Sequence, residues 1–360
     1  MSDNRRVYRR IKQGLLQLYP KQLTGNQARH LNTLAGMMTG IVQSKRCHFE
    51  MMAAKTPGSE KVASRVKRFR RYTQNEVIDR ETYYMPFITE LVIGLAQRGT
   101  LVVVMDGSEV GRNCLALVVS MVYKGRALPL AWMVVKGNKG HFPESAHLEL
   151  LAQVKAIVPT GTDVIFLGDG EFDGIGLLAE IEGAGWHYVC RTAHNCWVCE
   201  QDSWLQLNEL SRQAGDYVCL SEVAFTLQAY DPVTIIAWWH PDYKDPIYLV
   251  SNFELGEEAR YWYRLRFRIE TFFSDQKSRG FHLHKSHLSD PDRMARLMMA
   301  ACLAYIWIIF LGLIAHRDDW VAFIHRSDRC DLSLFQLGLR LLDYFLNNDL
   351  HFPFALAWLD

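Results

Sequence analysis

The chain has 360 residues, of which 49% are apolar and 22% charged, which excludes a disordered polymer and allows a sizeable core. Its net charge of +1 hides a division: residues 1–80 carry 17 Lys and Arg against 5 Asp and Glu, and the remainder carries 23 against 34. A basic head on an acidic body suits a protein whose one end meets a polyanion while the other keeps carboxylates for a separate purpose.

Residues 1–95 read as a helical, basic, DNA-binding domain. "NQARHLNTLAGMMTGIVQS" (26–44) is a periodic apolar helix and "KTPGSEK" (55–61) a break. "VASRVKRFRRY" (62–72) then sets Arg65, Lys67, Arg68, Arg70 and Arg71 around Val66 and Phe69. A helix of this kind packs on one side and offers cations to a phosphate backbone on the other; a solvated basic face is the bland alternative. These cations are interleaved with structured segments rather than strung along one amphipathic helix, so double-stranded DNA is the expected partner and a membrane is not.

The rhythm changes near residue 100. "TLVVVMD" (100–106) is a buried strand ending at an acid, and "CLALVVSMVYKGRALPLAWMVVKG" (114–137) reads as two antiparallel strands turning at Lys124-Gly125. "HFPESAHLELLAQVKAIV" (141–158) supplies a helix, "TDVIFLGDGEFDG" (162–174) a strand running into acids, and a helix near 175–182 and the strand "WHYVCR" (186–191) follow. This succession predicts an α/β fold, a mixed sheet with helical cover. Residues 96–195 form the first part of this core and 196–255 a β-rich insertion. Residues 256–330 return to the core through a helix over 261–280, and 331–360 form a helical tail. Within 256–330, "LMMAACLAYIWIIFLGLIA" (297–315) is long enough to cross a bilayer. As a single such run in a chain that otherwise reads as soluble, it is expected to be a buried core helix. Eight scattered cysteines and no secretory signal predict a reduced, cytoplasmic protein.

Two hydrophobic strands deliver Asp106 and Asp169 to a sheet edge, where neighbouring strand ends lie about 5 Å apart. Carboxylates that close repel unless a cation sits between them, and Mg²⁺ or Mn²⁺ is the oxygen-loving choice. Either acid alone is better explained as an ordinary turn or cap, and the pair gains weight only with a third ligand. Tyr263, Arg266, Glu270 and Lys277 fall on one stripe of a helix. That stripe fits a third metal ligand among phosphate-binding cations, and also a plain Arg266–Glu270 salt bridge. Glu109, Glu171 and Asp173 are nearby acids of lower rank. Cys190, His194, Cys196 and Cys199 invite a zinc reading, but a single CxxC is only half a site. No phosphate-binding or dinucleotide loop motif is present.

The pattern Y-x2-R-x3-E-x6-K at Tyr263, Arg266, Glu270 and Lys277 resembles the signature of the insertion sequence 4 family of DDE transposases. "VVVMDGSEV" and "VIFLGDGEFDG" resemble that family's two aspartate motifs, and residues 248–297 are similar to its third block. The resemblance implies a ribonuclease H-like fold interrupted by a β-rich insertion, with Asp106, Asp169 and Glu270 as the catalytic triad holding two Mg²⁺ ions. It assigns Tyr263, Arg266 and Lys277 to DNA phosphates near the cut. The expected activity is cleavage at element ends and joining of the freed 3′-hydroxyl to target DNA, by a homodimer on paired ends. Trp238 and Trp239 are candidates for stacking on a flipped base should a hairpin form, with packing inside the insertion as their ordinary role. Two features depart from the family: Ser108 stands where threonine is common, and the tail past residue 330 is short. A nuclease of the same fold without strand transfer, or a non-catalytic DNA-binding protein, are the competing classes.

Overall fold

The structure, a computed structural model, describes residues 2–19, 23–137, 140–326 and 329–356. The head is helical: α1 (Asp3–Gln17), α2 (Gly25–Ser44), α3 (Phe49–Lys55), α4 (Val62–Gln74), α5 (Arg80–Tyr83) and α6 (Met85–Ala96). In α1 the buried residues Val7, Ile11 and Leu15 recur every four positions, the spacing of one helical face. In α2, a Cβ on Gly40 would lie 2.6 Å from the Met52 carbonyl oxygen, so glycine is what lets α2 and α3 touch backbone to backbone.

The chain then forms β1 (Leu101–Gly111), β2 (Cys114–Tyr123), β3 (Arg126–Lys136), α7 (Glu144–Lys155), β4 (Val164–Gly168), α8 (Ile175–Gly183) and β5 (His187–Thr192). Lys124 and Gly125 turn β2 into β3 with φ of 44° and 76°, the two positive values that the tightest hairpin turn requires. β1 pairs antiparallel with β2 and parallel with β4, and β4 pairs parallel with β5. This mixed sheet behind a helical head is the ribonuclease H-like arrangement.

The strands of the expected insertion are β6 (Trp197–Glu200), β7 (Ser203–Gln206), β8 (Tyr217–Phe225), β9 (Tyr230–Trp238) and β10 (Ile247–Ser251). They continue the same sheet: β10 pairs antiparallel with β5, giving the ten-strand order β3-β2-β1-β4-β5-β10-β9-β8-β6-β7. After them come α9 (Gly256–Tyr263), α10 (Arg268–Gln276), α11 (Pro291–Arg317), α12 (Val321–Ile324) and α13 (Leu334–Asn347).

The expected single helix over 261–280 is therefore divided. Across 264–268 the backbone bonds run three residues back, as in Leu265 N–H to the Trp262 carbonyl (2.8 Å), Arg266 to Tyr263 (2.9 Å) and Arg268 to Leu265 (3.0 Å). This tighter winding ends α9 and restarts the chain as α10.

The apolar helix α11 is a core element, with 89% of its most apolar stretch buried in the fold. It begins at Pro291 with the Asp290 carboxylate accepting the Arg293 N–H (2.9 Å), a cap on the first turn. It packs on α2, β3 and α13. Its Arg296 also holds the head, donating to the Ile78 carbonyl (3.1 Å) and the Thr73 carbonyl (3.2 Å).

Candidate active site

β1 runs past Asp106 to Gly111, because β2 keeps pairing with it through Glu109 opposite Leu115 and, past an irregularity, to Gly111 opposite Cys114. Asp106 is thus a mid-strand residue, where the apolar run alone had suggested a strand end. Its other flank is open: the last β1–β4 pair is Val104 with Leu167. Continuing that register by two residues sets Asp106 beside Asp169 on the same face of the sheet. Asp169 is the first residue beyond β4, in a turn where its carboxylate accepts the Glu171 N–H (3.0 Å) and its carbonyl the Phe172 N–H (3.0 Å).

Glu270 comes from the first turn of α10. One guanidinium joins it to the two aspartates. Arg266 Nη1 lies 3.5 Å from Asp106 Oδ2 and 3.8 Å from Asp169 Oδ2, and Nη2 donates to Glu270 Oε1 at 2.9 Å. Arg266 is only 17% exposed, whereas Glu270 is 61% exposed. Three acids from three separate elements converge on a single side chain.

Electrostatics reflect this crowding. The Asp106 carboxyl is pushed up to about 6, first by burial and then by the charge of Asp169; Arg266 and the Gly107 N–H pull the other way. The Tyr263 hydroxyl is pushed up to about 12 by burial. Lys277 sits just past α10, and burial lowers its ammonium. It donates to the Ser108 hydroxyl at 2.6 Å. Tyr263, Arg266 and Asp169 line a cleft of about 790 Å³ together with Arg191, His194 and Asn208.

Other candidates lie elsewhere. Glu171 is turned toward the Phe142 N–H, His141 (3.1 Å) and His147 (3.4 Å). Asp173 is largely buried and hydrogen-bonded by Thr192, and Glu109 is exposed on β1. Trp238 is buried, with Arg260 and Arg264 against its ring at 5.0 and 5.6 Å; Trp239 is half-buried and donates its ring N–H to the Tyr243 carbonyl (3.1 Å). On α4, Lys67 and Arg71 are exposed, while Arg68 pairs with Glu60 (2.7 Å) and Arg70 with Glu50 (3.3 Å). Arg65 is on the other face: it is buried with Val66, Phe69 and Tyr72, and donates to the Gly58 carbonyl (3.3 Å). Of the proposed zinc set, Cys190 is buried in β5, and Cys196 accepts the Thr192 hydroxyl (3.1 Å).

Two features escaped the sequence: the simultaneous contact of Arg266 with all three acids, and Arg191. The latter was detectable in principle. Gly168 pairs with Cys190, so Arg191 follows at the same sheet edge where Asp169 emerges.

Among the described residues, no three His, Cys, Asp or Glu side chains are grouped closely enough to hold a metal ion. The donor chemistry nonetheless fits a hard divalent cation: three carboxylates, one of them pushed toward protonation by burial and then by its neighbour's charge, share a cation already.

A mixed sheet with one acid within a central strand and another just past the end of its parallel neighbour, met by a glutamate on a later helix, defines a DDE-type domain. The family described as "transposase DDE domain" matches residues 102–307, and the chain belongs to that family. No curated protein matches the chain. Among solved structures, it is similar to a chain of the piggyBac transposase synaptic complex with hairpin DNA, at 11% identity and a TM-score of 0.43, covering 97% of this chain and 79% of that one.

Proposed function

We propose that this chain is a transposase of the insertion sequence 4 type. It would cut DNA at element ends and join the 3′-hydroxyl to target DNA, with Asp106, Asp169 and Glu270 as the catalytic acids. The observation that carries this reading is their convergence on Arg266 from β1, the β4 turn and α10. An ordinary salt bridge would have needed only one of them.

Asp106, Asp169 and Glu270 would hold Mg²⁺, which when bound supplies Lewis acidity at the scissile phosphate and activates a water or 3′-hydroxyl nucleophile. The protein's own contribution is position and charge. Pairing with β2 holds the backbone of Asp106, and the turn bonds after β4 hold that of Asp169. Tyr263, Arg266 and Lys277 face the same region with phenol, guanidinium and ammonium, groups suited to phosphate oxygens. Lys67 and Arg71, exposed on α4, offer further backbone contacts, and the head is bound to the core through Arg296. Action as a homodimer on paired ends, in the cytoplasm, completes the proposal.

Incubating the purified protein with its own flanking DNA and Mg²⁺ tests this. End cleavage followed by strand-transfer products supports a transposase. Cleavage without joining would instead mark a nuclease, and DNA binding without cleavage a non-catalytic protein.

A further inference from the structure

We infer that Arg266 is an electrostatic latch that competes with divalent ions for the three acids and is drawn off by DNA phosphate. This rests on the reading above that Asp106, Asp169 and Glu270 take the metal. The carboxylate oxygens engaged by Arg266 Nη1 and Nη2 are ones a metal would use, and all three acids are engaged at once. A guanidinium carries its charge at any working pH and has no acceptor to offer an ion. While it sits there, the acids close around a planar fork, and no three of the described acidic or ligating groups approach closely enough for an ion. The two occupants therefore exclude each other by both space and charge.

The latch also has somewhere to go. Arg266 borders the cleft shared with Tyr263 and Arg191, and a phosphodiester entering there would present two oxygens that match the fork. Glu270, exposed and with Arg266 as its side-chain partner, is then released to complete the acidic set. Coupling of this kind keeps hydrolytic chemistry from assembling before a strand is in place.

Mn²⁺ binding to the DNA-free protein, followed by electron paramagnetic resonance, reads the competition without any turnover. A cation beside a carboxylate moves its affinity for a proton by one to three pK units, so Arg266→Met should bind Mn²⁺ about tenfold or more tightly than wild type. Arg266→Lys, which keeps the charge and loses the fork, should fall between them and guards against misfolding of the first variant. Saturating duplex DNA should tighten Mn²⁺ binding in the wild type and have a much smaller effect on R266M. Equal or weaker Mn²⁺ binding by R266M and R266K overturns the latch. If Asp106→Asn leaves Mn²⁺ binding unchanged, the metal reading itself fails and the latch with it.

Discussion

Lys277 Nζ donates to the Ser108 hydroxyl at 2.6 Å, across a sequence separation of 169 residues. The bond ties the segment just past α10, the helix that carries Glu270, to β1, two residues beyond Asp106. A hydrogen bond to a charged donor contributes about 1.5–3 kcal/mol. Ser108→Ala should therefore cut DNA about tenfold more slowly with end affinity nearly unchanged. Ser108→Thr, which keeps the hydroxyl, should cut like wild type. Single-turnover nicking beside a gel shift separates the two effects, and equal rates for all three proteins would remove the tie from the mechanism.

Asp275 and Arg126 form a second link, between α10 and β3, at 3.0 Å, with only 6% and 15% of their side chains exposed. Burial pushes the Asp275 carboxyl up to about 6 despite the arginine. Because the folded value lies above the ordinary one of 3.8, its contribution to stability is present below about pH 4 and lost as pH rises through about 6. Arg126→Met strands this carboxylate in the core, a loss of about 3–5 kcal/mol, and the penalty should be larger at pH 8 than at pH 5. Urea unfolding at both values measures it.

Asp106 makes a prediction of opposite use. A carboxylate must be deprotonated to hold a divalent cation, and this one sits near 6. Mg²⁺ affinity should be flat above pH 7 and fall by about tenfold per unit below pH 6. Titration calorimetry across pH 5–8 gives the profile, and a flat profile down to pH 5 would place the metal away from Asp106.

The core helices meet at two glycines. A Cβ on Gly338 of α13 would stand 1.9 Å from the Ile308 carbonyl oxygen, and one on Gly312 of α11 would stand 2.0 Å from that of Leu334. Gly338→Ala must force the helices apart, at a cost of about 1–3 kcal/mol or more. A fall in melting temperature of several degrees is expected, and a neutral result would show that the crossing is looser than described.

The parts of this molecule legible in the sequence are those that local pattern controls. Apolar runs ending in Asp106 and Asp169 announce strands, and Lys124-Gly125 announces a hairpin. The uncharged stretch in α11 could be read as core because little else in the chain suits a bilayer. What remained hidden depends on phase or on distant pairing. Counting cations on α4 does not show that Arg65 lies on the face of Phe69 and Tyr72. Residues 264–267 contain neither glycine nor proline, so nothing marks the tighter turn that separates α9 from α10. The merging of the β-rich segment with the central sheet depends on β10 finding β5, some 55 residues away. The motif spacing identified Arg266, but its grip on three acids is a property of the folded site alone.

The most direct test of the triad is a nicking assay on Asp106→Asn and Glu270→Gln, run beside a gel shift on the same end DNA with Mg²⁺. Both variants should bind DNA largely as wild type does and leave it uncut. Retained cutting by either would contradict the assignment of these acids.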